Sequence, residues 1–128
     1  MRLTFSWEEW DRDLVPTCSA DVLNHEGVSI LASILMDDGG TSLIRSFEHI
    51  GKGLDAVDAV IAGRVGNATW ERESWGASIA SDKVRLYSLH DPHYSEQLDT
   101  KSFRSALRAW LEFTGTKASG EGSRIVEI

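Results

Sequence analysis

The chain has 128 residues, 41% of them hydrophobic and 26% charged, with five Trp, one Cys and a formal net charge of -7. That length suits one domain with a sizeable core. The lone Cys18 excludes an internal disulfide framework, and no run approaches the ~18 apolar residues needed to span a bilayer.

Leu3 to Trp7 is a short apolar and aromatic run, read either as a first strand or as the lead-in to a helix. Ser6 and Glu9 fit a capping box for the helix option, and Pro16 ends whatever begins there. Ser19 to Leu35 is ambiguous. Val22, Leu23, Ile30, Leu31, Ile34 and Leu35 sit partly at helical spacing, while Val28 to Met36 also alternates as a strand would. Gly39 and Gly40 follow like a helix stop, which favours helix towards the end of this stretch. Thr41 caps a clearer helical stripe of Leu43, Ile44, Phe47 and Ile50, closed by Gly51 and Gly53. Leu54, Val57, Val60 and Ile61 form a second stripe, closed by Gly63. The intervening glycines predict a break or kink.

After Gly66 the character changes to short aromatic and β-branched segments, at 68–72, 75–80 and 83–89, with Ser81-Asp82 as a hairpin turn. An acidic, aromatic connector leads to the best-formed helix, whose face is Phe103, Ala106, Leu107, Trp110 and Phe113. Asp99 or Thr100 caps it, and Gly115 stops it through the left-handed conformation. Residues 116–123 read as a flexible Gly/Ser stretch before a final edge strand, Arg124 to Ile128. The expected fold is α+β, a single domain over 1–128 with helices packed on one face of a small antiparallel sheet.

Residues 1–65 carry 11 acidic and 5 basic side chains, whereas residues 66–128 carry 9 and 8. The acidic excess therefore lies almost wholly in the first half. Affinity for nucleic acid comes mainly from Lys and Arg on phosphates, so direct nucleic-acid binding is disfavoured and a basic protein partner is favoured. On charge alone, plain solubility is the simpler account. The N-terminus turns acidic where a signal peptide turns apolar, and the chain reads as cytoplasmic.

The search for chemistry is mostly negative. Gly51-Lys52-Gly53 lacks the pattern of a phosphate loop, no Ser sits in an elbow motif, and Cys18 has no distinguishing context. No catalytic residue, metal or cofactor is expected. Two constellations remain. His90, Asp91, His93 and Glu96 fall within seven residues and would suit a metal loop in a small hydrolase, but nothing nearby completes a usual shell, and a solvated loop is the simpler reading. Around Trp70, a strand places Trp70 and Arg72 on one face and Glu71 and Glu73 on the other. That is either a contact face with aromatic anchors, or a core Trp beside a charged edge. At least one of Trp70 and Trp75 is expected in the core.

The order Leu54, Val57, Val60, Gly63, then a Trp-bearing strand pair, then Val84-Arg-Leu86-Tyr-Ser, then Leu98, Asp99, Thr100, Phe103, Ala106, Leu107, Trp110 and Phe113, resembles small bacterial immunity proteins. These belong to contact-dependent inhibition and other polymorphic toxin systems. The likeness covers roughly residues 54–113 and is a pattern of apolar positions, without a catalytic signature. It implies a non-enzymatic protein that binds a cognate toxin domain and blocks its active site or substrate access. Many such toxins are nucleases with basic clefts, which an acidic inhibitor suits. The candidate toxin-binding residues are Glu8, Glu9, Trp10, Asp37, Asp38, Glu71, Glu73, Trp75, Asp91, Tyr94 and Glu96, with Trp7, Asp11 and Asp13 as further members of the same classes. The competing readings are the metal-dependent hydrolase on His90, His93 and Glu96, and a non-catalytic accessory subunit.

Overall fold

The computed structural model describes residues 1–116 and 122–128; residues 117–121, within the stretch expected to be flexible, lie outside it. The chain is α+β, with two antiparallel sheets and three helices. β1 (Arg2–Trp10), β2 (Asp13–Ala20) and β7 (Ser123–Glu127) form a three-stranded sheet in the order β2-β1-β7. β3 (Ala68–Glu71), β4 (Trp75–Ile79), β5 (Lys83–Ser88) and β6 (Ser95–Asp99) form a four-stranded meander. The helices are α1 (Ile30–Met36), α2 (Leu43–Ile61) and α3 (Thr100–Thr114).

The N-terminal segment is a strand, and the helix that Ser6 and Glu9 would have capped does not form. Alternation decides it: Leu3 and Phe5 are buried and their neighbours are not, a period of two. Pro16 does not end the element either. It lies within β2 opposite Trp7, and because β2 is an edge strand the missing N–H can face away from β1. α1 forms where helix was favoured, with the Ser29 side chain accepting from the Ala32 N–H at 3.1 Å.

α2 is one continuous helix of 19 residues, without the predicted break. Its cap is Ser42 rather than Thr41, the Ser42 hydroxyl accepting from the Arg45 N–H. Gly53 is there for packing: a Cβ at that position would lie 2.7 Å from Cε2 of the Trp70 ring. α3 forms as expected, but its ends differ. Asp99 holds the cap position without a side-chain cap bond and pairs instead with Lys83 at 2.6 Å. Gly115 stays right-handed, at φ -68. β6 falls in what read as a connector, and β7 supplies the expected final edge strand.

The core is one cluster. Phe5 meets Trp110 edge-on at 5.1 Å and Phe113 at 5.5 Å, which fixes α3 on the inner face of the three-stranded sheet. Trp7 stacks on Phe113 at 5.2 Å. Ala77, Ile79, Val84 and Leu86 give the inner face of the meander, and Phe103, Leu107, Val57 and Ile50 come down on it from α3 and α2. Each of these Val, Leu, Ile and Phe side chains contributes about 1.5–3 kcal/mol on full burial. Trp70 is buried and Trp75 half-buried. No helix among the described residues is long and apolar enough to cross a membrane.

Candidate functional site

The tip of the β1–β2 hairpin carries the least expected arrangement. Trp10 pairs with Asp13, so the turn is Asp11-Arg12, and both residues have positive φ, at 50° and 67°. A two-residue turn with both φ positive matches strand twist, but sequences usually supply Gly for it. A side chain in that region costs roughly 1–2 kcal/mol. The strained tip presents Trp10, 76% exposed, among the exposed carboxylates of Glu8, Glu9, Asp11 and Asp13.

Beside the tip runs a hollow of about 440 Å³, between β2 and the start of α2. Leu14, Val15 and Pro16 form one wall, Leu43 and Ile44 the other, and Asp13 and Asp38 stand at the rim. Ile44 is 72% exposed and Phe47 43%. The sequence stripe placed these two in the core. At about 100° per residue, however, Ile44 lies some 120° around the helix from buried Ile50, so one stripe cannot bury both. That offset was the available signal.

Asp38 also borders a second recess of about 640 Å³, shared with Asp37, Glu73, His49 and Arg72. Arg72 follows Trp70 inward, as their shared strand face predicts. It is buried and reaches under α1: Nη1 donates to the carbonyls of Ile34 and Leu35 at 2.9 and 3.0 Å, and Nη2 donates to Ser46 Oγ at 2.9 Å. A guanidinium on the last carbonyls of a helix satisfies acceptors that have no partner in the helix. Burial pushes its pKa down to about 10, opposed by Asp37 and Asp38. Burial, and then the Arg72 charge, also lower the pKa of His49, whose Nε2 lies 2.9 Å from the Glu71 carbonyl oxygen. Asp37 is half-buried and accepts from the Ser74 and Trp75 N–H groups at 2.7 and 3.2 Å, so it holds the β3–β4 connection in place.

The remaining candidates separate into two kinds. Glu71, Glu73 and Asp91 are exposed. Trp75 packs on Tyr94 with ring centroids 6.0 Å apart, and the Tyr94 hydroxyl accepts from Asn24 Nδ2 at 2.8 Å. Glu96 turns inward and accepts the Leu31 N–H at 2.7 Å, serving the start of α1; burial raises its pKa against that bond. It is therefore engaged away from His90 and His93, and among the described residues no group of three or more His, Cys, Asp or Glu side chains is placed to hold a metal. Burial likewise pushes the Cys18 thiol up to about 12, which suits packing rather than nucleophilic attack.

Shared residues join much of this surface. Asp13 belongs to the tip and to the hollow, and Asp38 to the hollow and to the recess, where Asp37 and Glu73 lie. Glu8, Glu9, Trp10, Asp37, Asp38 and Glu73 thus fall along one strip, acidic at the hairpin end and mixed at the recess, which Arg45, His49, Lys52 and Arg72 also line. Asp91, Tyr94 and Trp75 sit around the β5–β6 connection, and Glu96 is not on the surface strip at all. No family model matches the chain, no curated protein matches it, and no solved structure matches it.

Proposed function

We propose that the protein is a non-enzymatic inhibitor that binds a basic partner protein through the acidic end of this strip. The fitting partner is a cognate toxin domain, a nuclease among the candidates, whose active site or substrate access it blocks as an immunity protein does. The observation that carries the reading is Trp10, exposed on a strained hairpin tip that also bears the exposed carboxylates of Glu8, Glu9, Asp11 and Asp13. Trp is enriched among the few residues that dominate binding energy, and surrounding charge steers a partner of opposite sign. Backbone strain persists where the surrounding structure enforces it, often at ligand clamps.

The test is co-expression with toxin domains encoded beside the gene. The protein is expected to rescue growth and to co-purify with one of them. A folded protein that neither rescues nor binds any adjacent toxin domain defeats the reading in favour of a non-catalytic accessory subunit.

A further inference from the structure

We infer that the recess of about 640 Å³ beside α2 is a binding site for a dipolar residue, one that carries a free carboxylate together with a cationic side chain. Free arginine or lysine has that chemistry, and so does an Arg or Lys at the C-terminus of a protein. The site goes beyond the partner contact proposed above and does not depend on it.

The recess is lined by opposite charges that do not meet. Arg45 and Lys52 lie on one stripe of α2, two turns and about 10 Å apart along the axis, with Glu48 between them. Asp38 and Glu73 line the recess from the α1–α2 and β3–β4 connections. Gly39 lets these two connections touch: a Cβ there would lie 3.2 Å from Glu73 Cβ, so Asp38 and Glu73 are held near each other. Among the described residues, the side chains of Arg45, Glu48, Lys52 and Glu73 make no hydrogen bond or ion pair. Asp38 accepts the Gly40 N–H through Oδ1 alone. Opposite charges that face one recess without pairing are answered together by a group that carries both signs, and the concave walls focus their field.

The floor adds a fixed charge. Ser46 and Arg72 line the recess and are buried, and the Arg72 guanidinium is held by Ile34, Leu35 and Ser46. Its Nε is buried and has no partner, which leaves this cation under-bonded and strengthens its pull on a carboxylate in the recess. Asp37 opposes that charge, but its Oδ2 is occupied by the Ser74 and Trp75 N–H groups. The balance of charge sets the ligand. Among the described residues, four carboxylates line the recess with three permanent cations, Arg45, Lys52 and Arg72. A lone anion meets the carboxylates, and a lone cation meets the cations. An apolar group would desolvate both without compensation. A residue with a carboxylate and a cationic side chain matches both signs, and the volume lies in the range usual for small-ligand sites.

The test titrates isotope-labelled protein at constant ionic strength and follows backbone amide shifts. The probes are N-acetylarginine, which has both charges; N-acetylarginine amide, which lacks the carboxylate; N-acetylcitrulline, which lacks the cation; and free arginine. N-acetylarginine and free arginine are expected to give saturable shifts at millimolar concentration, clustered at residues 38–41, 45–52 and 72–73, and the other two are not. Tighter binding of free arginine assigns the site to the amino acid, and equal or tighter binding of N-acetylarginine assigns it to a protein C-terminus. Arg45→Gln combined with Lys52→Gln is expected to weaken N-acetylarginine roughly three- to tenfold and to erase its advantage over the amide. Asp38→Asn combined with Glu73→Gln keeps the acceptor for Gly40 and is expected to erase the advantage over citrulline. Circular dichroism checks that each variant is folded, and the parent's choice among the four probes decides the matter if a variant is not. Shifts located elsewhere, equal response to the amide or the citrulline probe, no saturation by roughly 50 mM, or preferences that survive in the folded variants would each overturn the site.

Discussion

Trp10 contributes little to the folded chain and much to what the chain can grip. Its ring is mostly in water, so truncation removes few intramolecular contacts. Trp10→Ala is expected to change unfolding free energy by no more than ~0.5 kcal/mol. Against its protein partner, the same change is expected to raise the dissociation rate about 30-fold or more, the equivalent of ~2 kcal/mol at a central anchor. Surface plasmon resonance beside urea unfolding separates the two effects. Glu96 is the opposite case, a carboxylate that reads as surface in the sequence and proves to be internal. Its bond to Leu31 spans 65 residues and that of Asp37 to Ser74 spans 37, so neither has a local signature. The raised pKa of Glu96 means that the fold favours its neutral form. Its contribution to stability is therefore present below the ordinary carboxylate pKa and lost as pH rises through the higher folded value. Glu96→Gln, which keeps an acceptor for Leu31, is expected to match or exceed the parent at pH 7, with the gap closing as pH falls. Urea unfolding across pH checks this; a variant markedly weaker than the parent at pH 7 would mean that the carboxylate form is favoured after all.

At the scale of elements, periodicity served where one face is buried and failed where long-range contacts decide. α3 was legible because Phe103, Leu107 and Trp110 repeat at helical spacing and all face inward. α2 looked broken because glycine is a poor helix residue in isolation. Here Trp70, from a strand that follows α2 in the chain, occupies the space that a Cβ at Gly53 would need. Gly53→Ala therefore sets a gain in helix propensity of about 1 kcal/mol against a clash with a rigid buried ring. The clash is expected to win, for a net loss of roughly 1–2 kcal/mol in urea unfolding, with no change at the strip. A stabilised Gly53→Ala would show that Trp70 can shift. β6 was illegible for another reason: Ser95–Asp99 holds a single apolar residue, Leu98, and becomes a strand by pairing with β5. The hairpin turn was missed because Asp11-Arg12 carries no glycine.

At the scale of the whole molecule, the α+β class was legible but the division into two sheets was not. β7 pairs with β1 across nearly the full chain, Arg2 opposite Glu127, and no local pattern announces such a partner. The charge asymmetry was legible, and the fold gives it direction. α2, roughly 28 Å long at the usual rise per residue, has Asp38 beside its start, and its end lies beside a hollow that includes Arg64, Lys101 and Arg104. At that far end Asp58 pairs with Arg104, and Arg64 and Lys101 give the basic excess, so a basic partner is turned towards the hairpin end. The central claim is that this end makes the contact. Hydrogen exchange on the complex with the adjacent toxin domain tests it most directly. Slowed exchange is expected at residues 8–16 and 38–47 and not at the Arg64, Lys101 and Arg104 end. Protection confined to that basic end, with the hairpin and the start of α2 exchanging as in the free chain, would contradict the account.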